Sequence, residues 1–213
     1  MKKFMFITVL ALATVFTSCK KENETPIEPL PDFMHLKVGN YWVYEFYKTD
    51  TNGIETKLQE TDSAYILKDS ILNGKTYFVK IQSPLHFNKN LSFGPNVYTE
   101  TILIRDSSGY LVNEIGTILF AQENFNDILK TDTIPGLLWS ETKMIGKDSL
   151  VTVPAGLFIS RTICYTYYPL DSNYHWGIRK AYSVYGKNAG ILKYTYGFYS
   201  SGVNYEARLL RYQ

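Results

Sequence analysis

Three histidines, at positions 35, 86 and 175, and two cysteines, at 19 and 164, have the widest chemical repertoire in this 213-residue chain. The histidines stand far apart, and none has a second ligand at the spacing a metal site requires. HExxH, paired CxxC, EF-hand, GxSxG and glycine-rich phosphate-loop patterns do not occur in the sequence. Ser, His and Asp side chains are present only at separations that any chain of this length offers. Cys164 lies within Ile163-Cys164-Tyr165, in a stretch that reads as a strand. That is the setting of a packed thiol, since a nucleophilic one needs an activating base beside it. These residues point to no metal, no cofactor and no enzyme.

Cys19 is a different case. Lys2 and Lys3 form a positive start, and Phe4 to Val15 is an uncharged apolar run. The run has secretory-signal length and is too short for a bilayer core of ~30 Å, which needs about 20 residues. Phe16-Thr17-Ser18-Cys19 then resembles the lipobox of bacterial lipoproteins, in which cleavage before the Cys leaves a lipidated N-terminus. The lipobox usually has Leu where this chain has Phe16. The resemblance implies a signal peptide over residues 1–18, acyl chains on Cys19 and a membrane partner reached through that anchor. It also leaves Cys164 without an intrachain disulfide partner.

Residues 19–32 read as a tether. Thr25 to Asp32 carries Pro26, Pro29 and Pro31 and has no apolar periodicity. Such a stretch reaches up to ~40 Å at ~3.1 Å per residue. Lys20-Lys21-Glu22-Asn23-Glu24 resembles the export signals of surface lipoproteins in Bacteroidota-type Gram-negative bacteria, with Asn23 interrupting the acids. The expected location is the outer membrane, lipid-anchored, facing the periplasm or the cell surface.

Composition agrees with a folded body and excludes other classes. Hydrophobic residues make up 45% of the chain and aromatic residues 15%, including 18 Tyr. Such a chain is neither disordered nor collagen-like. Of 22 basic and 20 acidic side chains, two lysines belong to the signal. The mature chain is balanced, and no electrostatic case for nucleic-acid binding remains.

From residue 33 to 213 the dominant pattern is alternation with period two, broken by Gly, Asn, Asp and Ser. Trp42, Tyr44 and Phe46 share one strand face, and Tyr194, Tyr196 and Phe198 share another beside Leu192. These six aromatics are the candidates for a ligand surface or for the core. Asn52-Gly53 and Asn73-Gly74 predict type I′ hairpin turns, and Asp106 to Gly109 a third hairpin. Ser149 to Val153, Leu157 to Tyr168, Lys180 to Tyr185, Ile191 to Tyr199 and Val203 to Tyr212 read as further strands. Gln122 to Lys130 is the best helix candidate, with Phe125, Ile128 and Leu129 spaced to share a face. The expected fold is all-β: one domain, a single strongly curved antiparallel sheet forming a half-barrel or open barrel, with at most one or two short helices.

Gly39-Asn40-Tyr41-Trp42-Val43-Tyr44, Val153-Pro154-Ala155-Gly156-Leu157-Phe158 and Ala189-Gly190-Ile191-Leu192-Lys193 occur in that order. Together they resemble the "GNxWxY … VPAGxF … GxGxxK" pattern of uncharacterised secreted lipoproteins common in Bacteroidota. That family is similar to lipoprotein-carrier folds, whose half-barrel surrounds an apolar cavity, and the resemblance implies a hydrophobic or amphipathic ligand. The motif residues themselves read as architecture, since Pro154 and Gly156 suit a corner and Trp42 a core anchor. Asp62-Ser63-Ala64, Asp69-Ser70-Ile71, Asp132-Thr133-Ile134 and Asp148-Ser149-Leu150 resemble the Asp-Ser/Thr-apolar O-glycosylation sequon of Bacteroidota, which makes Ser63, Ser70, Thr133 and Ser149 candidate sites. Asp-Ser pairs also suit turns.

Three functions fit this reading. The first is a non-enzymatic envelope lipoprotein that binds a hydrophobic or amphipathic molecule. The second is a structural or interaction subunit that docks another envelope protein or a glycan. The third, a glycan or lipid hydrolase with its site assembled from loops, has least in the sequence to support it.

Overall fold

Alternation becomes twelve β-strands. The computed structural model of the chain describes residues 31–82, 99–171, 177–197 and 202–213. Their strands are β1 (Tyr41–Thr49), β2 (Glu55–Leu72), β3 (Lys75–Gln82), β4 (Glu100–Ser107), β5 (Tyr110–Asn113) and β6 (Ile118–Ala121), followed by β7 (Ile128–Ile134), β8 (Leu138–Val153), β9 (Gly156–Pro169), β10 (Arg179–Gly186), β11 (Gly190–Gly197) and β12 (Asn204–Tyr212). All belong to one sheet, in the order β6-β5-β4-β3-β2-β1-β12-β11-β10-β9-β8-β7. Every neighbour pair is antiparallel. First and last strands meet through pairs running from Trp42–Tyr212 to Thr49–Asn204. The result is a nearly closed barrel with one seam, between β6 and β7.

No helix occurs among the described residues, which corrects the expectation for Gln122 to Lys130. Asn124 and Asp127 form a turn there: the Asn124 amide donates to the Asp127 carboxylate at 3.0 Å, and the Asp127 N–H returns to the Asn124 side-chain oxygen at 3.2 Å. Ile128 then begins β7. Phe125 and Leu129 pack on the core as the spacing predicted, but from a loop and a strand. The turns divide in the same way. Asn73 and Gly74 have φ of 51° and 72°, as a type I′ turn requires. At Asn52-Gly53 only Gly53 has positive φ, 79°. The Asp50 side chain accepts the N–H groups of Asn52 and Ile54, making a three-residue loop closed by a glycine bulge.

Connections fall at two ends of the barrel. The entry end carries residues 31–40, the Asn73-Gly74, Ser108-Gly109 and Pro154-Ala155 turns, and residues 187–189. The far end carries residues 50–54, 114–117 and 135–137, together with connections whose residues 83–98, 172–176 and 198–201 lie outside those described.

The core occupies the concave face, and Leu138 is fully buried beside the far-end 135–137 turn. Phe33, Phe120, Ile66, Met144, Ile163, Leu192 and Leu209 are fully buried as well. Phe120 stacks on Tyr185 at 4.1 Å, which brings the seam strand β6 against β10. Arg161 secures this closure. Its guanidinium lies 4.4 Å from the Phe33 ring centre and donates to the Gln122 carbonyl, to Glu123 at 2.7 Å and to Asp148 at 3.2 Å. One buried cation thus ties the end of β6 to the β8–β9 hairpin and to the incoming chain.

Candidate functional site

The concave face also carries polar and ionisable groups. Residues paired directly across antiparallel strands share a face, so the register shows which side chains point inward. Tyr44 pairs with Asp62, and the buried Ile66 pairs with Lys80, which pairs in turn with Ile102. Phe46, Ala207, Tyr194, Ser183 and Ile163 form one inward row across β1, β12, β11, β10 and β9. Ala181, Tyr165 and Thr142 form a second row beside it. Tyrosine, carboxylate and ammonium groups therefore lie on the same face as the apolar core.

Their geometry is specific. Trp42 donates from its indole N–H to the Ala189 carbonyl at 2.6 Å, and Tyr44 donates from its hydroxyl to the Ile191 carbonyl at 3.0 Å. Tyr44 meets Tyr194 edge-on, with ring centres 5.2 Å apart. Burial pushes the Tyr44 phenol well above its ordinary range, and the nearby Tyr194, Tyr185 and Asp62 add to that shift. Tyr165 is also raised by burial, while its hydrogen bond with Ser183 opposes the rise. These phenols stay protonated and present hydroxyl groups rather than charge.

Lys80 is the exception to neutrality. Burial lowers its ammonium to about 8, against the attraction of Glu100 and Asp62. No carboxylate stands within ion-pair distance of it among the described residues. A half-buried lysine held this way retains its charge near neutral pH and surrenders it readily.

The outer face handles charge differently. Glu45 is buried between Lys57 at 2.6 Å and the Tyr47 hydroxyl at 2.5 Å. Burial alone would raise the Glu45 carboxyl, but those two hydrogen bonds outweigh it and hold the group below its usual value. Arg208 lies over the Tyr47 ring and pairs with Glu206 and Glu55. This side is a saturated ion-pair ladder.

Of the aromatics singled out in the sequence, Trp42, Tyr44 and Phe46 are buried together on the concave face. Tyr194 joins them across β12, and Leu192 is fully buried beside it. Tyr196 belongs to β11, but its side chain, like all of Phe198 and Cys19, lies outside the described residues. Thr133 and Ser149 are exposed on β7 and β8, whereas Ser63 and Ser70 are half-buried on β2. The four sequon positions are not brought together. Cys164 is buried with its sulfur 3.7 Å from the Thr166 hydroxyl. His35 packs edge-on against Trp42 and Tyr212. His86 and His175 lie outside the described residues, within which no three His, Cys, Asp or Glu side chains converge as a metal site would need.

Sequence reasoning passed over Lys80 and Asp62. One signal was present: Lys80 sits two residues from Phe78, on the same face of an amphipathic strand.

Two solved structures resemble the fold at low sequence similarity. One is a protein inferred to be exported, with a YMCC-like fold, from Bacteroides fragilis; identity is 12%, the TM-score is 0.48, and the match covers 86% of this chain and 99% of that one. The other is an inferred lipoprotein from Parabacteroides distasonis, at 12% identity and TM-score 0.40, covering 87% and 100%. No protein-family model and no curated protein matches the sequence.

Proposed function

We propose that this protein is a non-enzymatic lipoprotein of the cell envelope whose barrel binds an amphipathic molecule on its concave face without transforming it. The observation that carries the reading is Lys80 on the concave face, with Asp62, Tyr44, Tyr165, Ser183 and Tyr194 on the same face. A half-buried ammonium with no ion pair among the described residues is costly on a face that serves only as core. Aromatic walls with a few polar groups are the usual lining of a small-molecule site. The signal, the Cys19 lipobox and the carrier-like sequence pattern support the envelope setting and the ligand class.

The test is a titration of the mature chain with a fluorescent lysophospholipid and a fluorescent fatty acid. Saturable binding by the wild type, weakened about tenfold or more in Tyr194→Ala, supports the reading. Absence of saturation with either probe favours the interaction-subunit alternative.

A further inference from the structure

We infer that the outward row of the β8–β9 hairpin is a bilayer-contact surface. Leu150 pairs with Ile159 and Thr152 with Leu157, so these four side chains share one face. The alternate residues Val151, Val153 and Phe158 pack on the core from the other face. The outward row is open among the described residues: Leu150 is 68% exposed, Leu157 64% and Ile159 43%. Three large apolar side chains grouped on one hairpin are unlike the scattered exposed residues of an ordinary surface.

The chain's own route identifies the occupant. Residues 31–40 enter the barrel at this end. The Asp32 carbonyl accepts the Asn188 N–H at 2.6 Å, and the adjacent Lys187 N–H donates to the Ile159 carbonyl at 2.9 Å. The point where the tether joins the domain is therefore one residue removed from the apolar row. The inference rests on acylation of Cys19, which places a bilayer at the other end of a tether reaching up to ~40 Å. Once the anchor is inserted, contact between hairpin and bilayer is intramolecular and needs little affinity of its own. The exposed Lys187 beside the row suits an anionic lipid surface.

The experiment places a tryptophan in the row without removing its apolar members, as Thr152→Trp, and a control tryptophan near the far end, as Ile134→Trp. Both exposed positions are introduced into the full acylated chain and reconstituted in vesicles of phosphatidylethanolamine and phosphatidylglycerol, with or without bromine on the acyl chains. The added emission at position 152 should fall at least twofold in brominated vesicles, while that at 134 stays unchanged. Replacing Leu150, Leu157 and Ile159 by Ser in the Thr152→Trp chain should abolish the quenching. Equal emission at 152 in the two vesicle types overturns the inference, as does equal quenching at both positions. A cross-linked dimer with no quenching assigns the row to a second copy and also overturns it. The mass of the acylated N-terminus in the same sample reports the anchor separately, and its absence removes the tether on which the inference depends.

Discussion

Tyr44 and Tyr194 stand edge-on with ring centres 5.2 Å apart across β12, whose Leu209 pairs with Tyr44 and whose Ala207 pairs with Tyr194. The pair brings the start and the end of the domain sequence onto one wall, which only the β1–β12 closure allows. The pair therefore places two phenols of the candidate site directly against the packed core.

Trp42 is the anchor of that core. Its indole N–H is satisfied by Ala189, and a Cβ on Gly190 would lie 3.0 Å from the indole nitrogen at a φ of 73°. Trp42→Ala should cost about 3–5 kcal/mol of unfolding free energy. Gly190→Ala should also destabilise, through contact with the ring and the left-handed backbone together. Urea denaturation followed by circular dichroism measures both; an unchanged midpoint in Trp42→Ala would contradict the packing described.

Lys80 predicts a pH dependence of defined sign. Its folded value is lowered to about 8, while the unfolded value stays near 10.5. Between those values the unfolded chain binds the proton that the folded chain has lost, so stability rises with pH. The slope is at most about 1.4 kcal/mol per pH unit. Tyr44 and Tyr185 are raised by burial and oppose the trend above about pH 10. Denaturation midpoints of the wild type should therefore climb from pH 8 to 10, and Lys80→Met should flatten that climb. Identical profiles would place Lys80 in solvent.

Arg161 should be the most sensitive charged residue of the barrel. Replacement by Met keeps the bulk over Phe33 but leaves Glu123 with Lys147 alone and Asp148 without its ion pair. The two carboxylates are half exposed, but the Gln122 carbonyl loses its buried donor, which costs about 1–3 kcal/mol. Amide hydrogen exchange should show the loss concentrated at β6 and the β8–β9 hairpin, on the two sides of the seam. A uniform loss over all strands would contradict the role assigned to the contact.

Cys19 should incorporate radiolabelled palmitate in cells, and Cys19→Ala should not. Equal labelling of the two chains would remove the anchor from this account.

Local chemistry made much of the fold legible. Asn73-Gly74 fixed a hairpin because both residues tolerate positive φ, and the Trp42-Tyr44-Phe46 face was readable because a strand has period two. Asp50 shows the limit: its side chain captured two N–H groups and turned the Asn52-Gly53 signal into a different loop. Gln122 to Lys130 misled for another reason. Phe125 and Leu129 are both apolar because they meet the core, and at that spacing a loop followed by a strand mimics a helical stripe. Most of β8 was missed because its first half mixes charge with apolar residues and its register shifts between Met144 and Ser149. The candidate site was less legible still. Lys80 and Asp62 come together only through pairings among β1, β2 and β3, and no local pattern encodes those.

The central claim is that the concave face of the barrel holds an amphipathic molecule unchanged. Native mass spectrometry of the acylated protein purified from envelope membranes tests it most directly. The wild type should carry a non-covalent adduct of defined mass, released intact on denaturation, and both Tyr194→Ala and Lys80→Met should lose most of it while remaining folded. A wild-type spectrum showing only the acylated chain, before and after incubation with envelope lipid extract, would contradict the claim.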